Sequence, residues 1–301
     1  ILINLSNLNI GGAYQRAVSF VKNWSDYSLD NAILVCRSDM KNDILKMTDL
    51  RNLTLLEVDH SPASILNGRE TRKVLNETVK KYNVKVAFTF VGPAYWRAKC
   101  YHIVGFGVPH IVYDDLPYVR SLPVLDKLKF TLKKLVTKYE ANHWVVQTRD
   151  VQKRLVKRLD VDIENVSVVS NGPGRQFDEN SSKRSNSDRF RLITPTTFRP
   201  SKNLDIIARI APPLHEENVV FYVTLDKANF QRLFGGLNNV VNLGKISPVD
   251  LPMVYEKVDA LFLPSHLECF SASYVESMFM GIPIITSDLP FAKTVCNDAA
   301  I

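Results

Sequence analysis

Glu268 and Glu276, eight residues apart, lie in the run Pro264-Ser-His-Leu-Glu-Cys-Phe-Ser-Ala-Ser-Tyr-Val-Glu-Ser-Met-Phe-Met-Gly281. An apolar stretch of strand length at 260–264 precedes it. Ser271 or Ser273 suits the N-cap of a helix over 271–280, which Gly281-Ile-Pro283 would end. One carboxylate in the loop, the open N–H groups of a helix start and a second carboxylate one turn in then converge. Carboxylates take hydroxyls and N–H groups take phosphates, so a ligand carrying both, such as a nucleotide sugar, suits the set. The plainer alternative is a surface pair flanking an ordinary helix.

Two more loops carry candidate groups. In Thr196-Thr-Phe-Arg-Pro-Ser-Lys-Asn203, Arg199 and Lys202 stand beside the start of a helix over 203–212. Cations there oppose the helix dipole unless an anion joins them, and a phosphate or pyrophosphate would do so. Two solvated charges are the alternative. In Asn7-Leu-Asn-Ile-Gly-Gly-Ala13, Gly11 and Gly12 allow close backbone approach to an anion at a helix start. This is not the dinucleotide pattern GxGxxG. His266 is a candidate ligand contact, whereas His110 and His143 read as packed strand residues. Cys36, Cys100, Cys269 and Cys296 lack metal-ligand spacing, so packed, reduced thiols are expected and no metal site.

These loops need a scaffold of alternating strands and helices. Strands are expected at 1–6, 31–37, 53–59, 85–91, 109–113, 143–147 and 166–170, with helices near 12–25, 64–82, 122–140 and 149–159. After a polar stretch at 178–188, strands are expected at 190–196, 218–225, 240–243, 260–264 and 283–286, with further helices near 203–212, 250–258 and 271–280. Strands separated by helices imply βαβ units and parallel sheets. The expected architecture is α/β: a doubly wound domain over 1–177, a linker over 178–188 and a second such domain over 189–301, facing a cleft. Ligands of such sheets bind at the carboxyl ends of the strands.

The 301 residues suffice for two cores, and 46% hydrophobic with 23% charged content excludes a disordered or disulfide-scaffold chain. No apolar run reaches the ~18–20 residues of a membrane-spanning helix. Ile1 opens a strand without a signal peptide before it, which reads as a mature or trimmed chain, and the scattered cysteines read as those of a cytosolic protein. The net charge of +7 is local: residues 120–158 carry eleven basic and three acidic residues. Leu125, Leu128, Leu132, Leu135, Val136 and Tyr139 recur there at helical spacing with lysines between them. Either the leucines pack into the core and the lysines are solvated, or the segment attaches to an anionic membrane surface. No nucleic-acid-binding module accompanies it.

The segment from Glu268 to Glu276 resembles the E-x7-E motif of retaining GT-B glycosyltransferases of glycosyltransferase family 4 (group 1). Gly11-Gly12, Asn171-Gly172, Phe198-Arg-Pro-Ser-Lys-Asn203 and Val241-Asn-Leu-Gly-Lys-Ile246 resemble that family's other segments, in order. The resemblance implies that Glu276 binds the nucleotide ribose and Glu268 the hydroxyls of the donor sugar. Backbone N–H groups of Cys269, Phe270, Ser271 and Ala272 would meet sugar and phosphate, Lys202 with Arg199 the pyrophosphate, and Lys245 and Ile246 the base. Thr196 and Thr197 stand where the family carries Gly-Arg. Asp114 stands where many members place a His after a strand, which makes it the candidate polar group beside Glu268 in catalysis.

The same resemblance implies a retaining hexosyltransferase using a UDP- or GDP-sugar without metal or other cofactor. Its acceptor would be a glycan or a lipid-linked glycan in bacterial surface polysaccharide or lipopolysaccharide synthesis. The expected location is cytoplasmic, with the basic stretch over 120–158 as the candidate for peripheral contact with the inner face of the membrane. A catalytically silent binding or scaffolding module and a sugar-nucleotide epimerase of the same fold are the alternatives. Family members continue beyond the strand after Gly-x-Pro, so a C-terminal domain lacking its tail is expected.

Overall fold

The computed structural model describes residues 1–8, 12–24, 32–47, 53–174, 176–177 and 187–301. The chain forms two compact units, Ile1–Ser170 and Asn171–Ile301. Most of the expected 178–188 linker lies outside the described residues. Phe177, just before it, is buried and meets Tyr255 edge to face at 5.7 Å, so the stretch leading to it packs with the second unit.

The first unit holds strands β1 (Leu2–Asn4), β2 (Ala32–Arg37), β3 (Leu53–Val58), β4 (Val86–Thr89), β5 (Tyr101–Gly105), β6 (His143–Val146) and β7 (Val166–Val168). They form one parallel sheet in the order β3-β2-β1-β4-β5-β6-β7. Successive side chains of a strand face opposite ways, so Ile3 and Leu2 enter different cores. Ile3, Leu5, Leu34 and Cys36 pack with Tyr14, Ala17 and Val18 of helix Gly12–Trp24. Leu2, Ile33 and Val35 pack with Leu75 and Val79 of helix Gly68–Lys81. The two-sided core is what a doubly wound parallel sheet requires.

The strand expected at 109–113 is instead a helical turn, Pro109–Val112, and the fifth strand is Tyr101–Gly105. Both segments contain His-Ile-Val, at 102–104 and at 110–112. Pro109 decides the second: it fixes φ at the first helical position, where a missing N–H costs nothing. The first aligns with β4 from Tyr101 to Val104, completing the ladder.

The second unit holds β8 (Phe190–Thr194), β9 (Val219–Val223), β10 (Val240–Asn242), β11 (Ala260–Leu263) and β12 (Ile284–Thr286), parallel in the order β10-β9-β8-β11-β12. Phe221 and Phe262 meet edge to face at 5.7 Å in a core that also takes Leu204, Ile207 and Ala211 from helix Asp205–His215 and its N-cap. Helices Ser38–Met47, Lys227–Phe234 and Pro290–Cys296 are present beyond those expected from periodicity. Chain order places β8 and β11 side by side where the winding reverses, and loops leaving both strands open at the same edge.

Candidate donor-binding site

The reversal point brings together the two loops that carry most of the candidate residues. After β8 the chain runs extended to Arg199 and makes a short turn, Pro200–Lys202, with Asn203 left-handed at φ 51°. After β11 it passes Pro264 and Ser265 and reaches Ser271, the N-cap of helix Ala272–Phe279. His266 donates its backbone N–H to the Ser201 carbonyl at 2.8 Å, and the Lys202 ammonium bonds the Glu268 Oε1. Buried Ser265 donates its hydroxyl to the same Oε1 at 3.0 Å. Glu268 is thus aimed by two donors, one from each loop.

Helix Ala272–Phe279 is bounded as the sequence suggests. Ser271 has an extended backbone and no capping bond from its side chain, so the N–H groups of the first turn have no cap in competition with a ligand. At the other end Ile282 N–H bonds the Ser277 carbonyl and Gly281 N–H the Met278 carbonyl, with Gly281 at φ +62°. That is a Schellman ending, and a side chain at Gly281 would cost about 1 kcal/mol through its backbone alone. Glu276 lies in the second turn, 8% exposed, and accepts the hydroxyl of fully buried Tyr255 at 3.2 Å. Burial pushes the Tyr255 phenol well above its usual range, the Glu276 charge adding to it, so it stays a donor. Cys269 is buried and its thiol is pushed up by desolvation, which makes it a packing residue whose contribution to a ligand is its backbone.

Neighbouring loops are latched to the same edge. Thr196 N–H bonds the Thr224 hydroxyl at 2.8 Å, and that hydroxyl bonds back to the Thr196 carbonyl at 3.1 Å. Asn242 takes the Leu225 N–H at 3.0 Å and gives its amide to the Leu225 carbonyl at 2.9 Å. Of the two threonines standing where Gly-Arg was expected, Thr196 is buried with its backbone stapled to the Thr224 hydroxyl, and Thr197 is exposed. Arg199 is exposed and enters no ion pair among the described residues. Lys245 and Ile246 line a groove with Leu243, Met253 and Val254, and Ser247, Asp250 and Lys257 add a hydroxyl and charges of both signs to its lining.

Other candidates fall elsewhere. Gly11 lies outside the described residues; Gly12 is exposed and opens its helix with no atom near the position a side chain would take. Asp114 follows a helical turn and not a strand, and its carboxylate pairs with Arg158, while Asp115 pairs with Arg154 at 3.0 Å. His110 stacks on Phe130 at 3.8 Å, and burial pushes its imidazole down to about 4. His266 is partly buried beside Glu268's loop and its imidazole is pushed down by desolvation. Tyr255 and Ser265 were not among the sequence candidates. Neither has a motif spacing of its own; both matter only through the carboxylates they reach.

Two parallel-sheet, Rossmann-like units in one chain are the GT-B class of fold, and solved structures of that class match almost the whole length. WaaG, a glycosyltransferase involved in lipopolysaccharide biosynthesis, is 12% identical with a TM-score of 0.71, covering 100% of this chain and 85% of that one. A glycosyltransferase from Rickettsia africae ESF-5 is 17% identical with a TM-score of 0.70, covering 98% and 81%. Anabaena Alr3699/HepE, solved with UDP and glucose, is 16% identical with a TM-score of 0.66, covering 97% and 81%. No curated protein sequence matches the chain. Residues 189–300 match the family described as glycosyl transferases group 1, so the second unit carries the domain of a glycosyltransferase enzyme.

Proposed function

We propose that this chain is a retaining hexosyltransferase of glycosyltransferase family 4 that moves a sugar from a UDP- or GDP-sugar to a glycan or lipid-linked acceptor. The observation that carries this is the meeting of Lys202, Glu268 and the start of helix Ala272–Phe279 at the winding reversal of the second sheet. In this reading Glu276 takes the ribose hydroxyls, and the groove at Lys245 and Ile246 takes the base. Lys202, Arg199 and the N–H groups over 269–272 take the diphosphate. Glu268 faces the sugar hydroxyls.

The reaction breaks the bond between the anomeric carbon and the diphosphate oxygen and forms one to the acceptor oxygen. Negative charge grows on the leaving diphosphate, where fixed cations and helix-start N–H groups lower the barrier most. The acceptor attacks from the face the diphosphate leaves, and its hydroxyl proton passes to a diphosphate oxygen. Asp114 is the candidate group for the acceptor. Similarity to the lipopolysaccharide enzyme supports, at the level of fold, a role in bacterial surface polysaccharide synthesis.

The pairing of Asp114 with Arg158 favours a second reading, a silent module that binds donor without transferring sugar. One experiment separates them: incubation with UDP- and GDP-sugars, following release of nucleoside diphosphate. Release demonstrates transfer or hydrolysis, and binding without release supports the silent module. Absence of both defeats the sugar-nucleotide assignment itself.

A further inference from the structure

The two loops that carry Lys202 and Glu268 are joined without that pair. The Ser201 carbonyl takes the His266 N–H at 2.8 Å, a bond made by backbone alone. The turn Pro200–Lys202 is closed by its own backbone as well, Lys202 N–H to the Arg199 carbonyl at 2.9 Å and Asn203 N–H to the Pro200 carbonyl at 3.2 Å. Glu268 keeps a donor of its own loop in the fully buried Ser265 hydroxyl at 3.0 Å. The carboxylate is therefore anchored whether or not the ammonium is present, and Lys202, on a flexible four-carbon stem, is the partner free to move. Arg199, the other cation of the loop, enters no ion pair among the described residues. The Lys202–Glu268 contact thus brings two charges out of water at a place where the fold does not need them joined.

We infer that this pair selects the intact sugar donor over the bare nucleoside diphosphate. The inference rests on the donor site proposed above, with Lys202 on the diphosphate and Glu268 on the sugar hydroxyls. A bare diphosphate draws the ammonium away and leaves a largely buried carboxylate with Ser265 as its donor and phosphate charge close by. An intact donor breaks the same pair but supplies both halves, phosphate oxygens for Lys202 and hydroxyl donors for Glu268. Hydrogen bonds to an ionised acceptor are stronger than neutral ones, so the sugar offsets what the pair gives up. Once the sugar has been transferred the offset is gone, and Glu268 competes again for Lys202. The contact therefore favours binding of the substrate and release of the spent nucleotide.

The test is calorimetric titration of the full chain as wild type, Glu268→Gln, Lys202→Ala and the double variant. The ligands are UDP, GDP, their nucleosides, UDP-glucose, UDP-galactose, UDP-N-acetylglucosamine and GDP-mannose. Glu268→Gln keeps the side-chain shape and removes its charge. It is expected to tighten the diphosphate that wild type binds by about 3- to 10-fold and to leave the matching nucleoside within about twofold. In the Lys202→Ala background the same substitution should tighten the diphosphate by less than about twofold, because no ammonium is there to release. The affinity of the best sugar conjugate relative to its own diphosphate should fall at least ~5-fold in Glu268→Gln. Equal tightening in both backgrounds would mean that Glu268 merely repels phosphate, and overturns the inference. A Glu268→Gln variant that binds the diphosphate no tighter than wild type, or keeps the full preference for the conjugate, overturns it too and leaves the donor site standing. A wild type that binds no nucleotide of either class defeats the donor-site reading and the inference with it.

Discussion

Lys202 and Glu268, 66 positions apart in sequence, share a hydrogen bond that closes the edge between β8 and β11. Both side chains are largely buried, at 17% and 14% exposure, so their attraction is screened less than that of a surface ion pair while both charges carry a desolvation cost. A diphosphate arriving here competes with Glu268 for the ammonium. Lys202→Ala should therefore lose a charge-assisted bond to the diphosphate, about 1.5–3 kcal/mol or roughly 10–100-fold in UDP affinity. Uridine, which lacks the diphosphate, should bind wild type and variant within about threefold. Calorimetric titration of both ligands checks this; equal losses for UDP and uridine would mean that Lys202 does not meet the phosphates.

Tyr255 presents Glu276 to its ligand. Tyr255→Phe keeps the packing on Phe177 but removes the hydroxyl that Tyr255 donates to the Glu276 Oε2. A lost neutral donor to a buried carboxylate costs about 1–2 kcal/mol, so UDP affinity should fall by about 5- to 30-fold. Deoxyuridine diphosphate, which offers one ribose hydroxyl fewer, should show a smaller loss between wild type and variant. Titration of both nucleotides against Tyr255→Phe measures it.

Asp114 separates donor from acceptor chemistry. Its partner Arg158 lies on helix Arg149–Leu159, within the first unit. Asp114→Asn should leave the UDP thermal shift intact and lower transfer at least ~100-fold if the carboxylate handles the acceptor. Comparing the shift with the transfer rate decides this, and full transfer in the variant would return Asp114 to a purely structural pairing.

Glu140 makes stability depend on pH. Its side chain is buried and takes the Tyr95 N–H at 3.1 Å, and desolvation pushes the carboxyl up to about 7. A carboxyl raised in the folded state is ionised first in the unfolded chain. Its contribution therefore falls as pH rises from about 4.5 to 7, by roughly 3 kcal/mol at most. His102, whose Nδ1 meets the Glu140 carbonyl, is pushed down to about 4 by burial and works oppositely, losing stability as pH falls below about 6.5. The difference between wild type and Glu140→Gln isolates the carboxyl. Relative to wild type, the variant should gain stability from pH 5 to pH 7.5, measured by urea unfolding at each pH. A pH-independent difference would show that Glu140 is ionised throughout.

The second sheet was legible strand by strand, because Phe190–Thr194, Val219–Val223 and Ala260–Leu263 are apolar runs bounded by turn residues. The first sheet was legible except where His-Ile-Val occurs twice. The tripeptide carries no preference strong enough to choose, and Pro109 against the open edge of β4 makes the choice in three dimensions. Glu268, Lys202 and Glu276 stood out through loop and helix grammar, but their meeting depends on β8 and β11 being neighbours, which chain order alone does not state. The leucines of 124–140 show the limit most plainly. Their spacing gives a helix, but which side faces the core is decided by Phe130, Thr137 and the helices beneath them.

The most direct measurement is a thermal-shift panel of UDP, GDP and their sugar conjugates on wild type and Glu276→Ala. At a ligand concentration ~100 times its Kd, wild type should gain about 2.7 kcal/mol and melt measurably higher with one nucleotide class. Glu276→Ala should show no shift with that class. A wild type indifferent to every nucleotide, or a Glu276→Ala variant that shifts as far as wild type, would contradict the assignment of this edge as the donor site.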